Sequence, residues 1–163
     1  MADPTEALVS EPKFWQTDLD WDDPSLSWHG DESRVLYSLH DIGDPNDSER
    51  PVVMLLKYAP GHHVTAHWHD SDYCSIVAAG ELTVTGRLHG AGAVRLVAAG
   101  TTYGPLKAGP LGARVVDIFT NRNGVTATHP QVDPKDVDRK AAEQAELRGK
   151  IADLPSRPIR RGK

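Results

Sequence analysis

The sequence predicts an all-β domain, an antiparallel sandwich or barrel, and three observations carry that prediction. From residue 34 to about 120 the chain is a series of short aliphatic and β-branched runs: "RVLYSLH", "VVMLLKY", "HHVTAHWH", "CSIVAA", "ELTVTGR", "AVRLVAA" and "ARVVDIF". Glycine and proline separate them in "GDPND", "APG", "GAG" and "GPLKAGPLG"; the first supplies positive φ and the second fixes φ, as tight turns require. No long helical pattern falls between the runs, and short strands without intervening helices pack as sandwiches or barrels.

Before the strands, residues 1–33 form an irregular N-terminal arm in which Trp15, Trp21 and Trp28 lie among aspartates and prolines. Tryptophan carries too much apolar surface to be left in water at this density, so the arm is expected to pack over the strand domain or over a partner subunit. After them comes a C-terminal extension, 121–163, with a helix expected over about 134–153. Asp133 caps it, Pro134 stands where its missing N–H costs nothing, and Asp136 complements the positive end of the helix dipole. Good helix formers then run to Pro155, with only a loose apolar stripe of Val137, Ala141, Leu147, Ile151 and Leu154, so this helix should lie against the body. A chain of 163 residues suits one such domain.

Charge and composition exclude several roles. The formal net charge is -5, and the only basic cluster is the terminal "RPIRRGK", so a nucleic-acid partner is not expected. Runs such as "VVMLL" are far short of the ~20 apolar residues that cross a bilayer. The N-terminal stretch has neither a basic start nor an apolar h-region, and Cys74 is the sole cysteine; no intrachain disulfide is possible. A cytoplasmic protein without membrane contact is the expectation.

Chemistry concentrates in "PGHHVTAHWHD", which holds four of the eight histidines. On a strand, residues two apart share a face, so His63, Thr65, His67 and His69 would point one way. Neutral imidazoles on one inner face suit a metal site; they equally suit a hydrogen-bonded polar strand face. His63 and His67 would stand ~13 Å apart on an extended strand, so sharing one ion needs a bulge or bend. His40, and Asp72 given a one-residue bulge, are further candidate ligands. Cys74 reads as a small apolar filler on the opposite face, His89 and His129 as surface residues, and His29 as part of the arm. Arg95 and Asp117 lie in strands, with faces that the pattern does not assign.

The stretch "GHHVTAHWHDSDYCSIVAAG" resembles the first motif of the cupin superfamily, G-x5-H-x-H-x3-E-x6-G, with Gly61, His67, His69 and Gly80 in place. "GAVRLVAAGTTYGPLK" resembles the second, G-x5-P-x-G-x2-H-x3-N, with Gly92 and Gly100 in register. The resemblance spans about residues 34–120 and implies a small double-sheet jelly roll with histidines projecting inward, commonly as a homodimer. It also implies a divalent metal on His67 and His69; imidazole suits Fe, Zn, Mn, Ni or Cu, and strand parity, not the resemblance, offers His63 as the further ligand. The departures are Tyr73 in the glutamate slot, Tyr103 in the second-motif histidine slot, Ala98 for proline and Lys107 for asparagine.

Neutral tyrosine is a poor metal ligand, because its phenol keeps its proton to about pH 10, but it offers a hydroxyl beside an apolar ring. The expected function is therefore a small-molecule enzyme of the dioxygenase, isomerase or cyclase class, with a pocket formed by His67, His69, Tyr73 and Tyr103. With a metal, His67 and His69 would hold it and a tyrosine would act as acid or orient the substrate. Without one, His67 or His69 would be a general base opposite a tyrosine donor. The alternative is a metal-free barrel that binds a small ligand without catalysis. In either case the partner is a small, weakly polar organic molecule, aromatic or hydroxylated.

Overall fold

A computed structural model gives the fold and describes residues 18–44 and 46–129. The helix expected over 134–153 and the first part of the arm, with Trp15, lie outside the described residues. Eight strands follow in order: β1 His29–Asp31, β2 Val35–Asp41, β3 Val52–Tyr58, β4 His63–Val64, β5 Tyr73–Val84, β6 Arg87–Gly90, β7 Val94–Val97 and β8 Leu106–Phe119. All pairings are antiparallel, as the short connections require for β1–β2, β2–β3 and β5–β6.

Two long strands organise everything else. The first part of β5 pairs with the end of β8 (Tyr73 with Phe119, Val77 with Val115) and with β7; its last part pairs with the start of β8 (Leu82 with Ala108, Val84 with Leu106) and with β6. One half of the sheet is thus β1-β2-β3-β8-β5-β7, the other β4-β8-β5-β6. The two halves fold over each other where register slips twice, between Val77 and Ala79 and between Gly80 and Leu82. Gly80 and Gly112 face each other at that corner with φ of 69° and 77°. A Cβ on Gly80 would lie 2.2 Å from the Gly112 carbonyl oxygen, so the bend needs glycine there.

This corner corrects the sequence reading in two places. "CSIVAA" and "ELTVTGR" are not separate strands but one, because Gly80 bends the chain without ending it. "GPLKAGPLG" is not a turn: from Leu106 onward it is the first half of β8. "HHVTAHWH" is the reverse case, a two-residue strand followed by the isolated bridges His67–Tyr103 and Trp68–Thr128. Because β4 is so short, and among the described residues β1, β6 and β7 each pair on one side only, the expected barrel is an open sheet folded on itself.

The core lies between the halves. Along the end of β8, Ala113, Val115, Asp117 and Phe119 are buried while Arg114, Val116 and Ile118 are less so, an alternation set by the two-residue period of the strand. Burying a Val, Leu or Phe contributes ~1.5–3 kcal/mol each; a carboxylate in the same row forfeits that.

The described residues before β1 pack over the outside of this half-sheet. Trp21 and Trp28 stack with centroids 6.0 Å apart, Lys57 Nζ sits 4.3 Å above the Trp28 ring and donates to the Trp21 carbonyl at 2.8 Å, and Arg114 lies over Trp21. The folded unit also runs past 120. A 3-10 turn at Arg122–Gly124 is held by buried Arg122 against Asp41, which Arg50 also pairs at 3.0 Å, and Thr128 bridges to Trp68.

Candidate active site

His67 is fixed from both sides. Its backbone exchanges two hydrogen bonds with Tyr103, each 3.0 Å, so the first-motif histidine and the second-motif tyrosine stand directly opposite. Its Nδ1–H donates to the Thr65 carbonyl at 2.9 Å, and the Nδ1–H of His69 donates to the Gly124 carbonyl at 2.9 Å. A carbonyl only accepts, so both rings carry the proton on Nδ1 and keep Nε2 as a lone-pair atom. The rings are 5.3 Å apart and both residues are 6% exposed. Burial lowers the pKa of both, that of His67 to about 4, so both imidazoles are neutral at pH 7.

Tyr73 is buried on β5, with its ring stacked on Phe119 at 4.8 Å and 6.2 Å from the Tyr103 ring. Its hydroxyl is buried without an aligned hydrogen-bond partner. Burial raises the pKa of Tyr58, Tyr73 and Tyr103 alike, so all three phenols stay protonated and available as donors.

The sequence reading missed the charged pair of the site. Ser75 pairs with Arg95 of β7 on one side and with Asp117 of β8 on the other, which puts the three side chains in one row on the inner face. Asp117 is 7% exposed, and its Oδ1 is buried with no hydrogen-bond partner among the described residues. Burial raises its pKa to about 6 against the opposing pull of the Ser75 hydroxyl and the Arg95 charge. A signal for Asp117 was present: it shares parity with Val115 and Phe119, opposite Arg114. For Arg95 the signal was misleading, since Val94 and Leu96, its apolar neighbours, are the ones turned outward, 60% and 84% exposed.

These groups line one cavity of about 150 Å³, with His67, His69, Tyr58, Tyr73, Tyr103 and Asp117 facing walls of Met54, Leu56, Leu82, Leu106 and Val115. A volume of that order takes one benzene-sized molecule. A wider groove of about 640 Å³ adjoins it, and Arg95 and Tyr103 line both. The Arg95 guanidinium lies 4.9 Å from the centre of the Tyr103 ring, so this pair forms the partition.

Of the other candidates, His63 is exposed on β4 and does not line the cavity; Val64 does. The parity of a single strand fails here because the stretch leaves strand geometry after Val64. His40 is buried elsewhere, 3.0 Å from the Ser38 hydroxyl, and Asp72 is exposed and accepts from the Ala99 N–H. His129, expected at the surface, is half-buried with its ring 5.3 Å from that of His67 and its Nδ1 2.9 Å from the Thr65 hydroxyl.

The donor set does not fit the divalent ion that the motif implies. Among the described residues no three His, Cys, Asp or Glu gather around one point. His67 and His69 are ready as ligands, since a ring N–H bonded to a carbonyl is the usual support of a metal-binding histidine. Their companions are phenols that burial pushes further from ionising.

Solved structures share this architecture at low identity. The polyketide cyclase RemF from Streptomyces resistomycificus superposes with a TM-score of 0.53 and 12% identity, over 80% of this chain and 97% of that one. Oxalate decarboxylase from Bacillus subtilis gives 0.54 and 16%, over 98% of this chain and 47% of its own; this chain spans about half the length of that enzyme. An RmlC-like cupin from Shewanella frigidimarina gives 0.48 and 17%, over 65% and 93%. No family model matches the sequence, and no curated protein matches it significantly.

Proposed function

From the premise that this chain has the cupin fold, we propose that it is a small-molecule enzyme that moves a proton on a carbon acid, in an isomerisation or cyclisation. The observation that carries this reading is Asp117, a buried carboxyl whose Oδ1 has no hydrogen-bond partner among the described residues, facing a cavity in which Arg95 is the other charged group. A pKa near 6 keeps it ionised at neutral pH yet basic enough to take a proton, the balance that general-base catalysis favours. His67 or His69 as the base, the expectation from sequence, is less suited: burial makes both weaker bases than free imidazole.

The roles follow from what each group can donate or accept. The substrate lies on the apolar wall with its carbonyl toward the phenols. Asp117 takes a proton from the carbon beside that carbonyl and becomes a carboxylic acid. The electron pair moves onto the carbonyl oxygen, where the hydroxyls of Tyr73 and Tyr103 donate to it. Asp117 then returns its proton at the far carbon of a conjugated dienolate, completing an isomerisation, or the enolate carbon attacks a second carbonyl whose oxygen takes the proton back from Asp117, completing a ring closure. His67 and His69, with Nε2 as acceptor, orient a substrate hydroxyl.

The test is hydrogen–deuterium exchange in D₂O, followed by NMR, on a panel of 1,3-diketones and small 2-oxo acids. Wild type should accelerate exchange of at least one probe, with Asp117→Asn at least a hundredfold slower and His67→Ala less affected. Saturable binding of the probes with no accelerated exchange would reject catalysis and leave a ligand-binding domain.

A further inference from the structure

Arg95 is the one charged side chain shared by the cavity and the outer groove. It points inward although its strand neighbours Val94 and Leu96 are exposed, so the fold turns a cation in and leaves apolar surface out. Among the described residues it forms no ion pair; its guanidinium carbon lies over the Tyr103 ring, 4.9 Å from the centroid. A guanidinium held over an aromatic ring and by no carboxylate keeps N–H donors for an oxyanion. The groove beyond it is lined by a second arginine, Arg87, and by no carboxylate, in a chain whose formal net charge is -5. The groove that adjoins the cavity is therefore locally cationic on an acidic protein, an arrangement that concentrates anions there.

We infer that the substrate is a small carboxylic acid, whose carboxylate is held by Arg95 at the neck between groove and cavity while its apolar body enters the cavity. The inference deepens the proton-transfer reading and rests on it for the word substrate; recognition of the carboxylate stands without it. The head carries one negative charge for one guanidinium: His67 and His69 add no positive charge at neutral pH, and ionised Asp117, on the far side of Ser75, leaves no room for a second carboxylate. The body is no larger than one ring, by the cavity volume of about 150 Å³. Held there, the carbon next to the ligand's carbonyl faces the row in which Ser75 separates Arg95 from Asp117.

The experiment uses benzoate and benzamide, the same shape with and without the charge, titrated into the full-length chain and followed by NMR. Wild type should prefer benzoate by at least tenfold, Arg95→Met should bind the two equally, and Arg95→Lys should keep part of the preference. Equal binding of both probes by wild type, binding of neither, or a preference that survives in Arg95→Met overturns the inference. The first comparison needs no variant, so a misfolded Arg95→Met cannot obscure it. Because binding is read, and not turnover, the two readings fail separately. Benzoate preference beside unimpaired exchange in Asp117→Asn would reject the acid–base role alone; impaired exchange beside equal probe binding would reject the carboxylate site alone.

Discussion

Asp117→Asn should make the protein more stable at neutral pH while removing its activity. In the fold the Asp117 carboxyl titrates at about 6 where an exposed aspartate titrates at 3.8. At 1.36 kcal/mol per pKa unit, that difference makes the ionised form about 3 kcal/mol less compatible with folding than the neutral one. The folded state therefore binds the extra proton between the two values. Stability from this group is fully present below pH 4, falls as pH rises to about 6, and is flat above. Asparagine keeps a polar group beside Ser75 and carries no charge at any pH.

His67 complicates the wild-type curve, because its pKa moves the other way, from 6.5 to about 4. A neutral buried histidine contributes stability above 6.5, and about 3 kcal/mol is lost as pH falls through 4. His69 adds to this in the same direction. The useful quantity is thus the difference between variant and wild type, in which the histidines cancel. Urea unfolding followed by tryptophan fluorescence at pH 4, 5, 6, 7 and 8 gives it. The difference should rise by about 3 kcal/mol in favour of the variant from pH 4 to pH 7 and stay level beyond. A flat difference, or one that falls with pH, would mean that Asp117 is solvated or paired, and the base assignment would go with it.

Four further outcomes follow from the same structure. The rate constant for probe exchange should fall tenfold per pH unit below about 6, as Asp117 gains its proton, with no fall up to pH 9 because burial keeps the phenols protonated. Elemental analysis of protein prepared without nickel resin should show the same divalent-metal content in wild type and in His67→Ala/His69→Ala; a near-stoichiometric metal lost only from the double variant would refute the donor-set argument. Arg122→Met should cost about 3 kcal/mol by stranding part of the Asp41 charge, and should also shift the His69 ring NMR signals, because the Arg122 turn supplies the Gly124 carbonyl that orients that ring. Gly80→Ala should cost about 3 kcal/mol or more in urea unfolding, since alanine must hold φ near 69° against the Gly112 carbonyl.

The fold was readable because strand length, turn residues and glycine spacing are local properties. What was not readable depends on where the two long strands bend. Gly80 was visible as a motif glycine, but whether a glycine ends a strand or lets it turn a corner depends on the strand opposite, here on Gly112. The same limit governs the site. His67, His69, Tyr73 and Tyr103 stood out as candidates because each sits at a fixed offset from a glycine, and the structure brings all four to one cavity. Asp117 and Arg95 have no such offset. Their inward direction is set by pairing across β5, with Ser75 between them, forty-two and twenty residues away along the chain. A charge placed in a buried row lowers the stability of the sheet that holds it, which is why hydrophobic patterning alone leaves the face of Arg95 unassigned. That cost also separates a site from a filler: apolar side chains at 95 and 117 would pack the same fold more stably, and the cavity would then hold no group able to take a proton at neutral pH or to grip a carboxylate.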